Sequence, residues 1–454
     1  MTTSDHLPTI GAAVLLANGP GGWDPPALLL TTPLLLLRYR GGVARLYRAG
    51  DADPFHQREC DPFALLDEIF AALKRHIPAA GPKAGKPAFP LAVVSLAYEY
   101  GRRYAPHQDA FRQASKLDSD EVFASVYLDA FRPDSQGGVE RLGYAGSIPA
   151  GWLEGAPALT TSPYGHEAPP IKPHVANGTV KTAALSPTID FETYRGLFDR
   201  VQEYLAAGDI YQANLTVPFL GSTALPPEAI FDAALRRGGA AFAGMMILPE
   251  ATLLSFSPEL LLRRRGRVVE TRPIKGTRPI ALKAGGSADA RDELRASEKD
   301  RAEHLMIVDL ERNDLGRICE TGSIRVDPFM RIVEHPTVVH METTVKGTLR
   351  AGLGLPDILG SLYPGGSVTG APKKRAIEIL SELEVAPRGA YCGAFGWIDC
   401  DGDCELNLPI RTAVVDPQGR VQYHAGGGIV ADSVAESEWK ELHDKAAFIG
   451  SLLG

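Results

Sequence analysis

The feature that most constrains the fold is a series of short, strand-like apolar runs that are separated by turns and only a few helices. These runs cover residues 210–220, 252–256, 268–271, 394–400, 411–415 and 421–424. A parallel, doubly wound sheet needs a helical crossover after nearly every strand, and no such regular alternation occurs here. The sequence therefore predicts an α+β protein with antiparallel sheets.

Composition divides the 454-residue chain into three parts. Residues 1–146 alternate short apolar runs with Gly and Pro, and they contain one clear helix at 61–75 that starts with Asp-Pro. Residues 147–188 are rich in Pro, Gly, Ser and Thr, which is typical of a connection. In residues 189–454, an amphipathic helix begins at Asp190. We predict a strand-rich N-terminal region, a connection and a catalytic region with these bounds.

Charge, cysteine spacing and hydropathy argue against a nucleic-acid-binding, a secreted disulfide-rich or a membrane-spanning protein. A net charge of −8 argues against nucleic acid, since a polyanion is bound by a positive surface. The five cysteines lack the dense spacing of a secreted disulfide scaffold. Residues 1–5 have no basic segment, and the interrupted apolar run at 27–37 is shorter than the roughly 20 residues that span a bilayer. We expect a cytoplasmic protein without membrane or nucleic-acid partners.

The residue that says most about chemistry is Lys275, in the segment Pro-Ile-Lys-Gly-Thr-Arg at 273–278. It lies between the apolar Ile274 and the bare backbone of Gly276. Burial there would lower the pKa of the amine and free its lone pair for nucleophilic attack. The alternative is a solvated charge, which is the usual state of a lysine.

Two pairs of acidic residues have helical spacing. Asp300 with Glu303, and Glu438 with Glu441, are each three positions apart, which places both carboxylates of a pair on one helix face. Neighbouring lysines and arginines allow these helices to be solvated and ion-paired. If the helices face each other, a hard divalent cation would relieve the repulsion. Magnesium fits this role because it prefers oxygen ligands and leaves positions for water and an anionic substrate.

A glycine-rich loop at 365–370 leads into a proline suited to the first turn of a helix. A nucleotide-binding P-loop is excluded because Gly370 is followed by Ala-Pro instead of Lys-Ser/Thr. The loop is either a plain helix start or a carboxylate site in which Thr369 and backbone amides bind at the positive helix end. Arg411 and Lys445 are candidates for a second carboxylate.

Two further residues are candidates for proton chemistry. Glu259, in a Ser-Pro-Glu segment, is a candidate general acid, because a carboxyl that stays protonated in a dry pocket can give its proton to a leaving hydroxyl. A surface glutamate is the alternative. His340 is either an active-site group or a packed histidine.

Six segments, taken in order, resemble one family. They are Gly-Asp-Ile-Tyr-Gln-Ala-Asn-Leu-Thr at 208–216, Ser-Pro-Glu at 257–259, Pro-Ile-Lys-Gly-Thr-Arg at 273–278, Glu-His-Leu-Met-Ile-Val-Asp-Leu-Glu-Arg-Asn-Asp at 303–314, Gly-Gly-Ser-Val-Thr-Gly-Ala-Pro-Lys at 365–373 and Gly-Gly-Gly-Ile-Val-Ala-Asp-Ser at 426–433. Together they resemble the chorismate-utilising enzymes. The resemblance implies two large antiparallel β-sheets packed face to face, with helices outside and the substrate in a cleft between them.

The resemblance also implies roles for individual residues. Glu303 and Glu441 match direct magnesium ligands, whereas Asp300 and Glu438 match outer positions that act through water. His340 matches an active-site histidine of the family. The positions that match substrate contacts are Tyr391, Gly427 and Gly428. Family members that add water to chorismate carry a lysine at the position of Gln212, so glutamine there disfavours water as the incoming group.

Lys275 resembles the branch of the family that forms 4-amino-4-deoxychorismate for 4-aminobenzoate and folate synthesis, because the anthranilate-forming branch usually carries alanine there. The implied reaction is magnesium-dependent amination of chorismate through a covalent adduct on Lys275. The chain shows no glutaminase-type cysteine motif, so the resemblance implies a separate glutamine amidotransferase subunit that supplies ammonia. The alternatives are the large subunit of an anthranilate-forming enzyme and a non-catalytic chorismate-binding regulatory subunit.

Overall fold

The computed structural model describes residues 13–16, 27–30, 33–48, 51, 53–77, 88–103, 120–133, 139–144, 182–238, 240–248, 250–280, 286–335 and 338–454. The predictions for residues 1–5 and for most of the 147–188 connection lie outside this part of the chain. Every strand pairing among these residues is antiparallel, as predicted.

The strands form two large sheets. In spatial order, the first contains Ala183–Pro187, Gln212–Ser222, Arg420–Ile429, Thr412–Val415, Thr252–Ser257, Phe242–Ile247, Ala13–Leu16, Ala27–Leu30, Asp129–Pro133 and Val139–Gly143, with Gly370–Ala371 paired to Gln212–Ser222. The second contains Arg325–Val326, Val345–Thr348, Val268–Arg272, Leu260–Arg265, Cys404–Asn407, Ala394–Asp399, Leu91–Leu96, Val122–Tyr127, Leu35–Arg40, Val43–Arg48 and His56–Glu59.

Both sheets combine strands from the N-terminal and C-terminal parts of the chain. For example, Leu91–Leu96 pairs with Ala394–Asp399 over six residues. One edge strand, Ala183–Pro187, falls at the end of the predicted connection. The division into three parts therefore remains a prediction about composition, while the hydrogen-bonded sheets run through both large parts.

A third, small sheet was not anticipated from the sequence. It consists of Ile274–Pro279, Val338–Glu342 and Arg331–Glu334, in that spatial order. The Gly286–Ala296 helix covers it, and their contact is a small apolar cluster that includes Leu294. This sheet carries Lys275 and His340, so it forms one wall of the candidate site.

The helices lie outside the sheets. They are Pro62–Lys74, Phe191–Ala206, Pro227–Arg236, Gly286–Ala296, Glu298–Gly316, Leu355–Leu362, Lys373–Leu383 and Ala435–Gly450, with 3-10 turns at Tyr98–Arg103 and Gly366–Val368. The two predicted start signals are confirmed. Asp61 accepts hydrogen bonds from the amides of Phe63 and Ala64, and Asp190 accepts one from Thr193. Each satisfies backbone donors that a helix leaves free at its N-terminus.

Three apolar layers hold this arrangement together. The inner faces of the two large sheets meet in a layer that includes Phe242, Phe395 and Trp397. The outer layers pack helices on each sheet, with Leu442 in one and Ile358 in the other. Burial of a large apolar side chain contributes about 1.5–3 kcal/mol, so these layers determine the packing of the sheets. The prediction of two antiparallel sheets packed face to face with helices outside is confirmed.

None of the helices in the described part of the chain is both long enough and apolar enough to span a membrane.

Candidate active site

A bulge in the small sheet sets the direction of Lys275. The pairing register shifts between Lys275, opposite Met341, and Thr277, opposite His340, so Gly276 is the extra residue. Gly276 has a φ of +72°, and a Cβ there would lie 2.6 Å from Leu294 Cδ1. A bulge redirects the neighbouring side chains, and glycine adopts this backbone conformation without strain. The glycine after Lys275 is therefore required by the local geometry.

Lys275 points to the glycine-rich loop. Its Nζ donates a hydrogen bond to the carbonyl oxygen of Ser367 at 3.2 Å. Burial lowers the pKa of Lys275, and the carboxyl groups of Glu303 and Glu259 oppose this shift. A lowered pKa increases the fraction of free amine near neutral pH, which is the form that attacks an electrophile.

Glu259 lies on the other side of the same loop residue. Its carboxyl Oε1 accepts a hydrogen bond from Ser367 Oγ at 2.6 Å, and its side chain is almost fully buried. Burial raises the pKa of Glu259 to about 7, although the Ser367 hydroxyl and the Lys275 amine favour the ionised form. The Ser-Pro-Glu segment fixes the residue, because Ser257 Oγ accepts the Glu259 amide at 3.1 Å. This carboxyl can hold a transferable proton near neutral pH.

His340 and Arg411 form a second, basic part of the site. His340 Nδ1 lies 2.9 Å from Thr277 Oγ1, and its ring contacts that of His335 with centroids 5.2 Å apart. Burial, with smaller contributions from the charge of Arg411 and from His335, lowers the pKa of His340 to about 3, so the imidazole is neutral. Arg411 has a φ of 52° and makes no ion pair with a carboxylate in the described ranges. A strained arginine without an anionic partner is suited to bind an anion.

The glycine-rich loop holds itself in shape. Thr369 Oγ1 donates to the carbonyl oxygen of Gly365 at 2.9 Å, so this hydroxyl is used inside the loop. Gly370 has a φ of +142°, and a Cβ there would lie 2.1 Å from the carbonyl oxygen of Gln212. The loop therefore packs directly on the strand that carries Gln212. This places Gly370 and Gln212, two of the predicted substrate-binding residues, next to each other.

The neighbouring strand, Arg420–Ile429, carries three consecutive glycines at 426–428 and is called the glycine strand below. Cβ atoms added at Gly427 and Gly428 would lie 2.7 Å from Glu438 Oε2 and 2.9 Å from Gln212 Nε2, respectively. The Gln212 amide is fully buried, and neither its nitrogen nor its oxygen has a hydrogen-bond partner in the described structure. Tyr391 is buried, and its ring stacks on that of His424 in the same glycine strand. The unsatisfied amide leaves a donor and an acceptor available to a ligand.

The predicted acidic residues lie on the Glu298–Gly316 and Ala435–Gly450 helices. Burial raises the pKa of Glu303, and Asp300 and Glu438 raise it further as like charges. Burial also raises the pKa of Glu438, with Glu441 adding to the effect. Glu438 on one helix thus acts on Glu303 on the other, but Lys275 and Lys299 have larger, opposite effects on the pKa of Glu303. Features of both interpretations of the spacing are therefore present, the approach of the helices and the ion pairs.

Basic groups engage three of the four carboxylates. Lys299 Nζ lies 3.9 Å from Glu303 Oε1. Asp300 accepts a hydrogen bond from Arg278 at 2.7 Å, and Glu441 forms a 2.7 Å ion pair with Lys445. Burial tends to raise the pKa of Glu441, but Lys445 outweighs it and leaves the pKa below its usual range. Lys445 also donates to a carbonyl oxygen of the glycine strand. The charge of Arg411 acts on the pKa values of His335 and His340, and Tyr423 acts on that of Arg411.

Three residues of this site were missed by sequence reasoning. Ser367 links Lys275 to Glu259, Glu311 binds the loop amide beside it, and His335 contacts His340. Ser367 and Glu311 both lie within the family segments, but their contacts depend on tertiary structure that short motifs do not specify. His335 gave no sequence signal.

Comparison with known proteins shows the family of the chain. The model of the chorismate binding enzyme family matches residues 37–451. The chain belongs to this family.

Among curated relatives, aminodeoxychorismate synthase component 1 from Bacillus subtilis is 35% identical over 295 residues, covering 65% of this chain and 60% of the relative. The protein of that name from Klebsiella aerogenes is 41% identical over 264 residues, covering 58% of each chain. These matches span less than two thirds of those relatives. Anthranilate synthase component 1 from Aquifex aeolicus is 30% identical over 445 residues, covering 95% of this chain and 87% of the relative.

Among solved structures, anthranilate synthase component I from Streptococcus pneumoniae superposes with a TM-score of 0.73 at 24% identity, covering 97% of this chain and 92% of that one. A putative 2,3-dihydroxybenzoate-specific isochorismate synthase from Bacillus anthracis gives a TM-score of 0.67 at 19% identity, covering 99% and 97%. At these identities the similarity shows the fold alone, and the fold is that of the chorismate-utilising enzymes.

Proposed function

We propose that this chain aminates chorismate with ammonia to give 4-amino-4-deoxychorismate, and that Lys275 is the covalent nucleophile. The observation that carries the proposal is the arrangement around Ser367. Its carbonyl oxygen accepts a hydrogen bond from Lys275 Nζ at 3.2 Å, and its hydroxyl donates one to the Glu259 carboxyl at 2.6 Å. A nucleophile with a lowered pKa and an acid with a raised pKa therefore lie on the two sides of one residue.

The proposed chemistry needs both groups. The Lys275 lone pair forms a carbon–nitrogen bond to the ring, the bond to the ring hydroxyl breaks, and the Glu259 proton goes to the departing oxygen, which leaves as water. Ammonia then attacks the ring, and the bond to Lys275 breaks so that its electron pair returns to the amine. The new ammonium group gives a proton to the Glu259 carboxylate, which restores the acid. A nucleophile of this kind divides one difficult substitution into two easier steps.

The groups around this pair suit a dicarboxylate. Arg411 offers a planar guanidinium that has no carboxylate partner in the described residues. The glycine strand allows a ligand to approach the backbone, and the unsatisfied Gln212 amide provides a hydrogen-bonding group without a base. A glutamine cannot take a proton from water, which supports ammonia as the incoming group.

Magnesium is part of the proposal. The described residues hold no group of three or more His, Cys, Asp or Glu donors placed to bind an ion by themselves. Magnesium usually takes one or two protein carboxylates and fills its other positions with water and substrate. The like charge of Glu438, which raises the pKa of Glu303, supports a cation between the helices, although Lys275 and Lys299 already offset part of this effect. Glu303 and Glu441 would bind it, with Asp300 and Glu438 outside, and the ion would neutralise a substrate carboxylate.

Ammonia is proposed to come from a separate glutamine amidotransferase. The curated relatives carry the words component 1 in their names, which supports a second component for this chain as well. The product would then serve 4-aminobenzoate and folate synthesis.

Anthranilate formation is the second candidate, because the Aquifex relative that aligns over 95% of this chain carries that name. Product analysis separates the two. The purified chain would be incubated with chorismate, magnesium and ammonium, and the products would be separated by chromatography. Amination at the proposed position predicts 4-amino-4-deoxychorismate and no fluorescent anthranilate. Anthranilate as the main product would move the assignment to the second candidate.

A further inference from the structure

Glu311 is a buried acid that the proposed reaction does not use directly. It lies on the Glu298–Gly316 helix with only 3% of its surface exposed. Its Oε1 accepts a single hydrogen bond, from the Gly366 amide at 3.2 Å. Its Oε2 is buried and has no hydrogen-bond partner among the described residues. A buried carboxyl group with one hydrogen bond has few polar partners, so this side chain requires an explanation.

The contact with the loop is close and specific. A Cβ at Gly366 would lie 3.1 Å from Glu311 Oε1 and 2.6 Å from Leu310 Cδ2. The loop backbone therefore packs against the helix at the point where Glu311 accepts the hydrogen bond from the Gly366 amide. The next residue, Ser367, makes both contacts of the catalytic pair, through its carbonyl oxygen to Lys275 and its hydroxyl to Glu259.

We propose that Glu311 is a positioning residue, which fixes the Gly366–Ser367 backbone and through it the relative placement of Lys275 and Glu259. This inference rests on the proposed function for the roles of those two groups. Glu311 is hydrogen-bonded to the Gly366 amide, and the next residue, Ser367, is hydrogen-bonded to both reacting side chains. Movement of the loop would therefore misplace the amine and the acid together.

The charge state of Glu311 supports this role. Burial raises the pKa of Glu311 to about 8. Lys373 faces it and favours ionisation, whereas Asp314 and Glu259 face it as like charges. Lys373 is itself held by Asp314, at 2.5 Å. The raised pKa favours the neutral form of Glu311, which supplies an acceptor for the loop without adding negative charge beside Glu259.

Two substitutions separate this role from packing. Glu311→Gln keeps an acceptor for the Gly366 amide in a neutral side chain of the same length. Glu311→Met keeps an unbranched side chain but removes the acceptor. Asp309→Asn, which removes an exposed carboxylate on the same helix, is the matched control. All four proteins would be compared for kcat and KM with chorismate, magnesium and ammonium, after circular dichroism confirms folding.

A second readout does not depend on the reaction. Without substrate, each protein would be treated with a small amount of acetic anhydride, and the acetylated fraction of Lys275 would be measured by mass spectrometry from pH 6 to 9. Loss of a buried hydrogen bond predicts about a tenfold lower kcat for Glu311→Met, with KM changed less than about threefold. The labelling profile of Lys275 should change in the same variant and stay unchanged in Glu311→Gln and Asp309→Asn.

A folded Glu311→Met protein with wild-type kcat and wild-type Lys275 labelling would overturn the inference. A Glu311→Gln protein as impaired as Glu311→Met would overturn it too, since a neutral acceptor would then be insufficient. If Glu311→Met does not fold, Glu311→Gln is compared with the wild type alone. Wild-type kcat and Lys275 labelling are then expected, and a tenfold lower kcat with changed labelling would overturn the inference. If no protein acts on chorismate, the proposed function fails, and the labelling comparison still decides whether Glu311 positions Lys275.

Discussion

Replacing Glu259 with glutamine should stabilise the folded protein above neutral pH and remove most of its activity. Burial raises the pKa of this carboxyl from 4.5 to about 7. Because the folded-state pKa is above the unfolded one, its contribution to stability is full below pH 4.5 and is lost as the pH rises through 7. The difference between the two pKa values corresponds to about 3 kcal/mol. A glutamine does not ionise, so it avoids this loss.

The assay is urea unfolding of the wild type and Glu259→Gln at pH 5 and pH 8, with the exposed Glu192→Gln as the control. Relative to the wild type, Glu259→Gln should gain up to about 3 kcal/mol in unfolding free energy between the two pH values, while the control stays within about 0.5 kcal/mol. Loss of a general acid should lower kcat by about 10²–10⁴-fold. A pH-independent stability difference would refute the raised pKa, and a fully active variant would refute the role as acid.

Three other perturbations test separate parts of the site. Gly276→Ala should destabilise the fold by about 1–2 kcal/mol in urea unfolding and lower kcat, because the φ of +72° strains alanine; an unchanged midpoint would contradict the bulge argument. Arg411→Lys should raise KM for chorismate about tenfold or more while kcat changes less, because a planar fork is lost; an unchanged KM would exclude carboxylate binding. Chelation should abolish activity, and magnesium should raise the melting temperature of the wild type but not of Glu303→Gln; equal shifts in both would contradict the proposed ligand.

The strands were predictable where the signal is local. The runs at 252–256 and 421–424 lie within observed strands because turn residues and apolar content mark them directly. The starts at Asp61 and Asp190 are equally local, since an N-cap acts within one turn. Sheet order is different. The pairing of Leu91–Leu96 with a strand some 300 residues later depends on packing that no short window contains.

The site shows the same division. Lys275 and Glu259 were identifiable because each lies in a short segment that resembles the family, whereas the residues alone left a solvated lysine and a surface glutamate as alternatives. Their connection through Ser367 was not, because it joins residues about 100 positions apart. Glu311 lies in a strongly charged helix, where an acidic residue usually faces solvent. Its burial became evident only from the contact with Gly366.

The most direct test of the account is intact-protein mass spectrometry of the chain with chorismate, magnesium and ammonium, compared with Lys275→Ala. The account predicts a covalent adduct on the wild type that maps to Lys275 and decreases as ammonium is raised, with 4-amino-4-deoxychorismate as the product. The Lys275→Ala protein should show neither the adduct nor comparable turnover. Formation of the same product at the wild-type rate by Lys275→Ala would contradict the nucleophilic role of this lysine.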